Sequence, residues 1–97
     1  MNRAPVIYSI VVYKRIIMRI DKFLKVSRII KRRTVANDAC DNEHVSVNGR
    51  PAKASYDVKE GDIIEIRFGE RVLKVRVVDV KEHAGKAEAG SMYEVIA

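Results

Sequence analysis

Met18-Arg19-Ile20-Asp21-Lys22-Phe23-Leu24-Lys25-Val26-Ser27-Arg28 decides how this chain is read. Ile20, Phe23, Leu24 and Ser27 recur at i, i+3, i+4 and i+7, the spacing of one buried helical face. Lys22, Lys25 and Arg28 fall elsewhere on the cylinder. The pattern predicts a short helix over 19–27. Asp21 sits in its first turn, where the helix dipole favours an acid, with Lys25 as its i+4 partner.

Downstream, Ile29 and Ile30 lead into Lys31-Arg32-Arg33, a basic connecting turn. Thr34 is a suitable N-cap for a second helix over 35–42. Val35, Ala36, Ala39 and Cys40 give it a narrow face of small residues, suited to close packing on the first helix. Asp38, Asp41 and Glu43 point away from that face, and their sign keeps this helix from lying along phosphates. The pair makes a helix–turn–helix-like unit whose first helix and turn are basic.

The hydrophobic period then changes to two. Val45-Ser46-Val47 reads as a short strand, and Asn48-Gly49 as a tight turn because both residues tolerate positive φ. Pro51 keeps the next stretch out of a central strand. Gly61-Asp62 marks another turn. Ile64, Ile66 and Phe68 alternate with Glu65 and Arg67 as a half-buried strand, Gly69-Glu70 reverses the chain, and Leu73, Val75 and Val77 alternate with Lys74 and Arg76 on the way back. Residues 82–91 are small and polar and read as a loop, and Tyr93 to Ile96 as a closing strand. The expected class is α+β: two short N-terminal helices followed by a small, mostly antiparallel sheet.

Upstream of Met18 the sequence is different. Val6 to Val12 is a short apolar, β-branched run behind Arg3 and Pro5. It is too short for a membrane span and makes a poor signal peptide, with a weak n-region and no A-x-A-like cleavage site. Residues 1–17 are read as an apolar extension upstream of a start at Met18. The domain proper covers 18–81, followed by the loop 82–91 and the closing strand 92–97.

With 97 residues, the chain holds one domain. A hydrophobic share of 47% beside 33% charged residues belongs to a soluble globular domain. One cysteine excludes an internal disulfide and a cysteine-based zinc cage. The net charge is +6, and its distribution is one-sided. Residues 14–33 hold Lys14, Arg15, Arg19, Lys22, Lys25, Arg28, Lys31, Arg32 and Arg33 against Asp21 alone, whereas residues 45–97 are balanced. A block of that kind is a footprint for a phosphate backbone.

No reactive constellation accompanies it. Cys40 falls on an apolar face, where a thiol is packed rather than nucleophilic. His44 and His83 are far apart and have no local partner. No H-x-x-x-H or C-x-x-C spacing exists for a metal. The carboxylates mostly alternate with basic residues on strands, and no glycine-rich phosphate loop is present. A non-enzymatic protein without cofactor or metal is expected.

Taken in order, Met18-Arg19-Ile20-Asp21-Lys22-Phe23-Leu24, Ser27-Arg28, Arg33-Thr34-x-Ala36, Val45-x-Val47-Asn48-Gly49 and Val58-x-x-Gly61-Asp62-x-Ile64 resemble the S4 RNA-binding domain. The longer runs Lys22 to Arg28, Ile30 to Thr34 and Ala52-Lys53-Ala54-Ser55, with Arg67-Phe68-Gly69 and Met92-Tyr93, are similar to the stand-alone bacterial S4 proteins of ribosome-associated quality control. This resemblance implies a cytoplasmic, ribosome-associated monomer. Its partners would be the large ribosomal subunit with an obstructed nascent chain, large-subunit rRNA, P-site tRNA and the tailing factor RqcH, which adds alanines to the stalled chain. By position, the implied RNA contacts are Arg19, Lys22, Lys25, Arg28, Lys31, Arg32 and Arg33, supported by Asn48, Gly49 and Lys53 from the hairpin. Arginine suits this work because its planar fork donates two parallel hydrogen bonds to phosphate.

Two departures from the family pattern stand out. The family places Gly at the end of the second helix; here Glu43 stands there, leaving the left-handed role to Asn42 or to a different helix ending. Pro51 follows the Asn-Gly turn and bears on the hairpin geometry. Competing readings are a heat-shock-type S4 protein that recycles large subunits, an accessory subunit of an rRNA-modifying enzyme, and a membrane-surface protein using Val6–Val12 with the basic block.

Overall fold

The computed structural model describes residues 17–97. The apolar run Val6–Val12 and all but the last residue of the extension lie outside the described residues. From Met18 the elements run β1 (Met18–Arg19), α1 (Ile20–Val26), α2 (Arg33–Asp41), β2 (Val45–Val47), β3 (Arg50–Pro51), β4 (Asp57–Val58), β5 (Ile63–Phe68), β6 (Arg71–Val77), α3 (Lys86–Ala89) and β7 (Tyr93–Val95). The larger sheet has five antiparallel strands in the order β3-β2-β5-β6-β7. β1 and β4 form a separate two-stranded antiparallel ladder. The chain is thus α+β, with the helical pair packed beside the sheet.

The residues that predicted α1 are the ones it buries: Ile20, Phe23 and Leu24 are fully enclosed and Ser27 nearly so. They join Ala36 and Cys40 of α2, Val45 of β2, Ile64 and Ile66 of β5 and Val75 and Val77 of β6 in one core. No side chain caps α1. Its first two N–H groups are instead satisfied by main chain: Ile20 donates to the Tyr56 carbonyl at 2.7 Å and Asp21 to that of Ala54 at 3.3 Å. The β1–β4 ladder makes this possible by pairing Arg19 with Asp57. Two-residue strands leave no periodic signal, so only the tertiary structure reveals this capping.

Four local expectations change. The second helix begins at Arg33 with Arg32 as N-cap and no side-chain cap, so Thr34 lies inside the helix. Val35 is 51% exposed, because the buried stripe runs through Ala36 and Cys40. Phe68 is exposed as well: β2 pairs with β5 only as far as Ile66, and Phe68 projects past the covered part of the sheet. Within 82–91 the segment makes one helical turn, α3, stabilised by a Glu88 carboxylate that accepts the Gly85 N–H at 3.1 Å. Ala89 and Met92 anchor it in the interior.

The hairpin joining β2 to β3 has positive φ at both Asn48 (52°) and Gly49 (87°), the geometry of a two-residue turn that matches strand twist. Pro51 fits without loss. It sits on the edge strand opposite Ser46, while the flanking bond is made by Ala52 N–H to the Val45 carbonyl at 3.1 Å.

The end of α2 resolves the Glu43 departure. Glu43 itself is left-handed (φ 61°) and Asn42 is not. Glu43 N–H bonds the Cys40 carbonyl and His44 N–H that of Ala39, a Schellman ending built on a residue with a Cβ. Such a residue carries a steric penalty that glycine avoids. Glu43→Gly is therefore expected to stabilise the domain by roughly 0.5–1 kcal/mol, the penalty being partly offset by glycine's freedom in the unfolded chain. Thermal melting monitored by circular dichroism checks this; a lower midpoint would contradict it.

Candidate nucleic-acid interface

The described part of the basic block, Arg19 to Arg33, is gathered on and around α1, at two places. At the N-terminal end, Asp21 is buried and acts as an organiser. Arg19 donates to it from Nε (3.2 Å to Oδ1) and Nη2 (3.1 Å to Oδ2), and Asn37 of α2 donates to Oδ2 at 3.2 Å. The Lys22 N–H adds a bond of 2.7 Å to Oδ1, and Arg33 Nη2 stands 3.4 Å from the same oxygen. Lys25 is not its partner: Asp21 faces α2, and the two arginines reach it from α1's entry and from the start of α2. Burial raises the Asp21 pKa, but hydrogen bonds from Arg19 and Asn37 and the charges of Arg33 and Arg19 outweigh it, leaving the carboxyl below its ordinary value. It is ionised at neutral pH.

Both arginines remain about half exposed, at 47% and 46% of the side chain. A guanidinium has five N–H donors. Arg19 uses two on Asp21, so three stay available. The buried carboxylate thus restricts two long side chains, remote in sequence, to one place, which reduces the ordering that an incoming phosphate must otherwise impose. Thr34, Asn37 and Asp38 complete the shallow depression around them.

The C-terminal end of α1 faces the segment that precedes and enters α3. Between them lies an open groove of about 670 Å³, lined by Lys25, Arg28, Lys31, Glu82, His83 and Lys86 among others. Lys22 is set apart from it electrostatically, since its Nζ is held by Glu82. Arg28 is left-handed (φ 65°) at the end of α1, where its N–H bonds the Lys25 carbonyl at 3.0 Å. Arg32, as the N-cap of α2, is exposed between the two places.

The hairpin residues divide. Gly49 and Lys53 are exposed, and Lys53 immediately precedes the Ala54 whose carbonyl caps α1. Asn48 is committed internally: its Nδ2 donates to Asp62 at 3.2 Å and its Oδ1 accepts the Ile63 N–H at 3.0 Å. It braces the turn rather than offering its amide to RNA. Sequence reasoning did not bring Lys86 to the end of α1, because it sits in a stretch of balanced charge and carries no local signal. It also missed Asp21's organising role, which depends on contacts from α2.

Cys40 is buried, and burial, reinforced by the charges of Asp21 and Asp41, pushes its thiol up to about 11. It is a packing residue. Among the described residues no three His, Cys, Asp or Glu side chains are grouped as a metal would require, and no helix is long and apolar enough to cross a membrane.

Two short helices with basic residues at their entry and in their connecting turn, leaning on a small antiparallel sheet, define an S4 domain, and the S4 domain family matches residues 18–64. The likeness extends well beyond that segment. The chain is 54% identical to the RQC P-site tRNA stabilizing factor of Halalkalibacterium halodurans, over 80% of this chain and 89% of that one. It is 51% identical to the protein of the same name from Bacillus subtilis, over 81% and 92%. The chain belongs to this family of RQC P-site tRNA stabilizing factors. The fold is shared more widely: a trimeric structure of Vibrio cholerae heat shock protein 15 superposes with a TM-score of 0.78 at 29% identity, covering 84% of each chain.

Proposed function

We propose that this protein stabilises P-site tRNA on large ribosomal subunits carrying an obstructed nascent chain. It contacts large-subunit rRNA and tRNA through phosphates, acts as a cytoplasmic, ribosome-associated monomer, and assists alanine tailing by the tailing factor RqcH without chemistry of its own. The observation that carries this reading is the Arg19–Asp21–Arg33 arrangement. A buried carboxylate holds two half-exposed guanidiniums together at the start of the most basic stretch of the chain. Lys25, Arg28, Lys31, Arg32 and Lys53 add exposed positive charge elsewhere on the domain. A-form RNA hides its major groove, so such a surface reads shape, phosphate and 2′-OH rather than base sequence. The names of the relatives supply the ribosomal context.

The heat-shock-type reading, in which the protein recycles large subunits, is less well supported. Identity to the Vibrio protein is 29%, against 51–54% to the tRNA stabilizing factors.

The deciding experiment is sedimentation of the tagged protein through a sucrose gradient with purified large subunits, with and without peptidyl-tRNA in the P site. Retention is expected on tRNA-bearing subunits and to depend on the tRNA. Equal retention on empty subunits, or migration at the top of the gradient in every case, would overturn the proposal. RqcH-dependent alanine incorporation on the same particles should rise several-fold when the protein is added.

A further inference from the structure

The Arg19–Arg33 site accounts for only part of the positive charge. Its two arginines already have a carboxylate, and Lys22 has Glu82. Lys25, Arg28, Lys31 and Lys86 have no carboxylate within ion-pair distance among the described residues, yet all four line one groove, and the carboxylate that also lines it, Glu82, is taken by Lys22. Three come from the end of α1 and its following turn. The fourth comes from α3, more than fifty residues later in the chain.

That convergence is built rather than accidental. The 82–92 segment is fastened on both sides: Glu82 pairs with Lys22 of α1, and Ala89 and Met92 are buried in the interior. Lys81 lies 4.0 Å from Glu88, and Glu88 accepts the Gly85 N–H. Lys86 is thereby carried up to a wall of like charge that it would otherwise avoid. Like charges facing each other across a concave surface raise the local potential and favour an anion between them. Arg28 ends α1 with a φ of 65°, one that glycine adopts freely and a residue with a Cβ does not, as Glu43 ends α2. Glycine would end α1 more comfortably, but it would bring no charge to the groove.

We propose that this groove is a second phosphate-binding site, completed by Lys86, which takes RNA backbone independently of the Arg19–Arg33 site, so that the protein grips RNA at both ends of α1. The inference rests on the RNA-binding function proposed above and adds to it the C-terminal segment. The seven-residue helix separates the two grips by about 10 Å along its axis. That is enough for them to engage different phosphates, either on one folded RNA or on two.

The test uses the full-length protein, a fluorescent 20-base-pair RNA duplex and a titration of salt. Lys86→Gln and Arg28→Gly are compared with Arg71→Gln, which removes one charge from the β5–β6 turn outside the groove. The groove variants should bind about 3- to 10-fold more weakly at 0.1 M salt. Each should flatten the slope of log K against log salt by roughly 0.9, the share of one neutralised phosphate. Arg71→Gln should leave both quantities near the wild-type values. Arg28→Gly should in addition melt no lower than wild type, so that binding falls while stability holds or rises; a merely structural role would move the two together. Wild-type slope and affinity in both groove variants would overturn the second site while leaving the RNA-binding function standing. Failure of the wild-type protein itself to bind the duplex or the tRNA-bearing subunit would overturn that function, and this site with it.

Discussion

Arg19→Ala and Arg33→Ala are each expected to weaken RNA binding by about 1–3 kcal/mol, a loss of roughly 5- to 150-fold, without unfolding the domain. The expectation follows from what each side chain does when no RNA is present. Arg19 makes a two-toothed contact with Asp21, and Arg33 approaches the same carboxylate, so both are ordered in advance. Each variant leaves the buried Asp21 with the other arginine, the Asn37 amide and the Lys22 N–H, so the cost to folding stays at about 1 kcal/mol. The main loss therefore falls on binding. The salt dependence distinguishes lost phosphate contacts from general weakening: about five neutralised phosphates give a slope of roughly −3.5 to −4.5 for the wild type, and each substitution should remove somewhat less than one. Because the two arginines share Asp21, their effects should not add, and the double variant measures the coupling. Fluorescence titration over a salt series, beside a melting curve for each variant, decides the matter. Unchanged affinity would remove the arginines from the interface. A lost folding transition would assign them to structure.

Asp62→Ala should have the largest effect on folding of the polar substitutions, roughly 2–4 kcal/mol. Asp62 is 3% exposed. Its carboxylate accepts the Asn48 amide at 3.2 Å, the Tyr56 hydroxyl at 3.1 Å and the Lys59 N–H at 3.1 Å, and Lys59 Nζ stands 3.5 Å away. One side chain thus ties the β2–β3 turn to the turn before β5. Its main chain closes the same turn on β6 through the Val77 N–H. Truncation removes one acceptor from three donors at once, the Asn48 amide, the Tyr56 hydroxyl and the Lys59 N–H, and bonds to a charged group are each worth more than neutral ones. In a domain of this size each kcal/mol moves the melting midpoint by about 4–8 °C, so a drop of roughly 10–30 °C is expected. A fall below about 4 °C would show that water replaces the lost partners. The companion Asn48→Ala should lower the midpoint while leaving the salt slope of RNA binding intact, since its amide faces Asp62 and Ile63.

How much of this was visible beforehand depended on the range of the signal. α1 was legible because Ile20, Phe23, Leu24 and Ser27 repeat a helical period strongly enough to survive any context. The β2–β3 turn was legible because Asn48-Gly49 supplies two residues that tolerate positive φ, and the β5–β6 hairpin because its period of two runs for several residues on both strands. Arg19, Lys25, Arg28, Lys31, Arg32, Arg33 and Lys53 were all marked by charge or resemblance and all lie exposed. Val35 and Phe68 were misjudged because local alternation says which residues share a face but not where the covering partner ends. Thr34 was misjudged because nothing local says that Arg33 is drawn towards Asp21. The turn at α3 escaped notice because four residues carry too little periodicity to be seen.

The sequence by itself determined the class of the domain, the basic surroundings of its first helix and its two principal reversals of strand, at Asn48-Gly49 and Gly69-Glu70. Those properties follow from short-range periodicity, turn chemistry and the position of charges along the chain. Only the tertiary structure decided that Asp21 would gather Arg19 and Arg33 into one site. It also decided that Asn48 would brace a turn around Asp62, and that Lys86 would face Arg28 across a groove. Each of these depends on where remote segments meet, and packing of the shared core settles that, since it fixes α1 against α2, the sheet and the segment around Met92 at once.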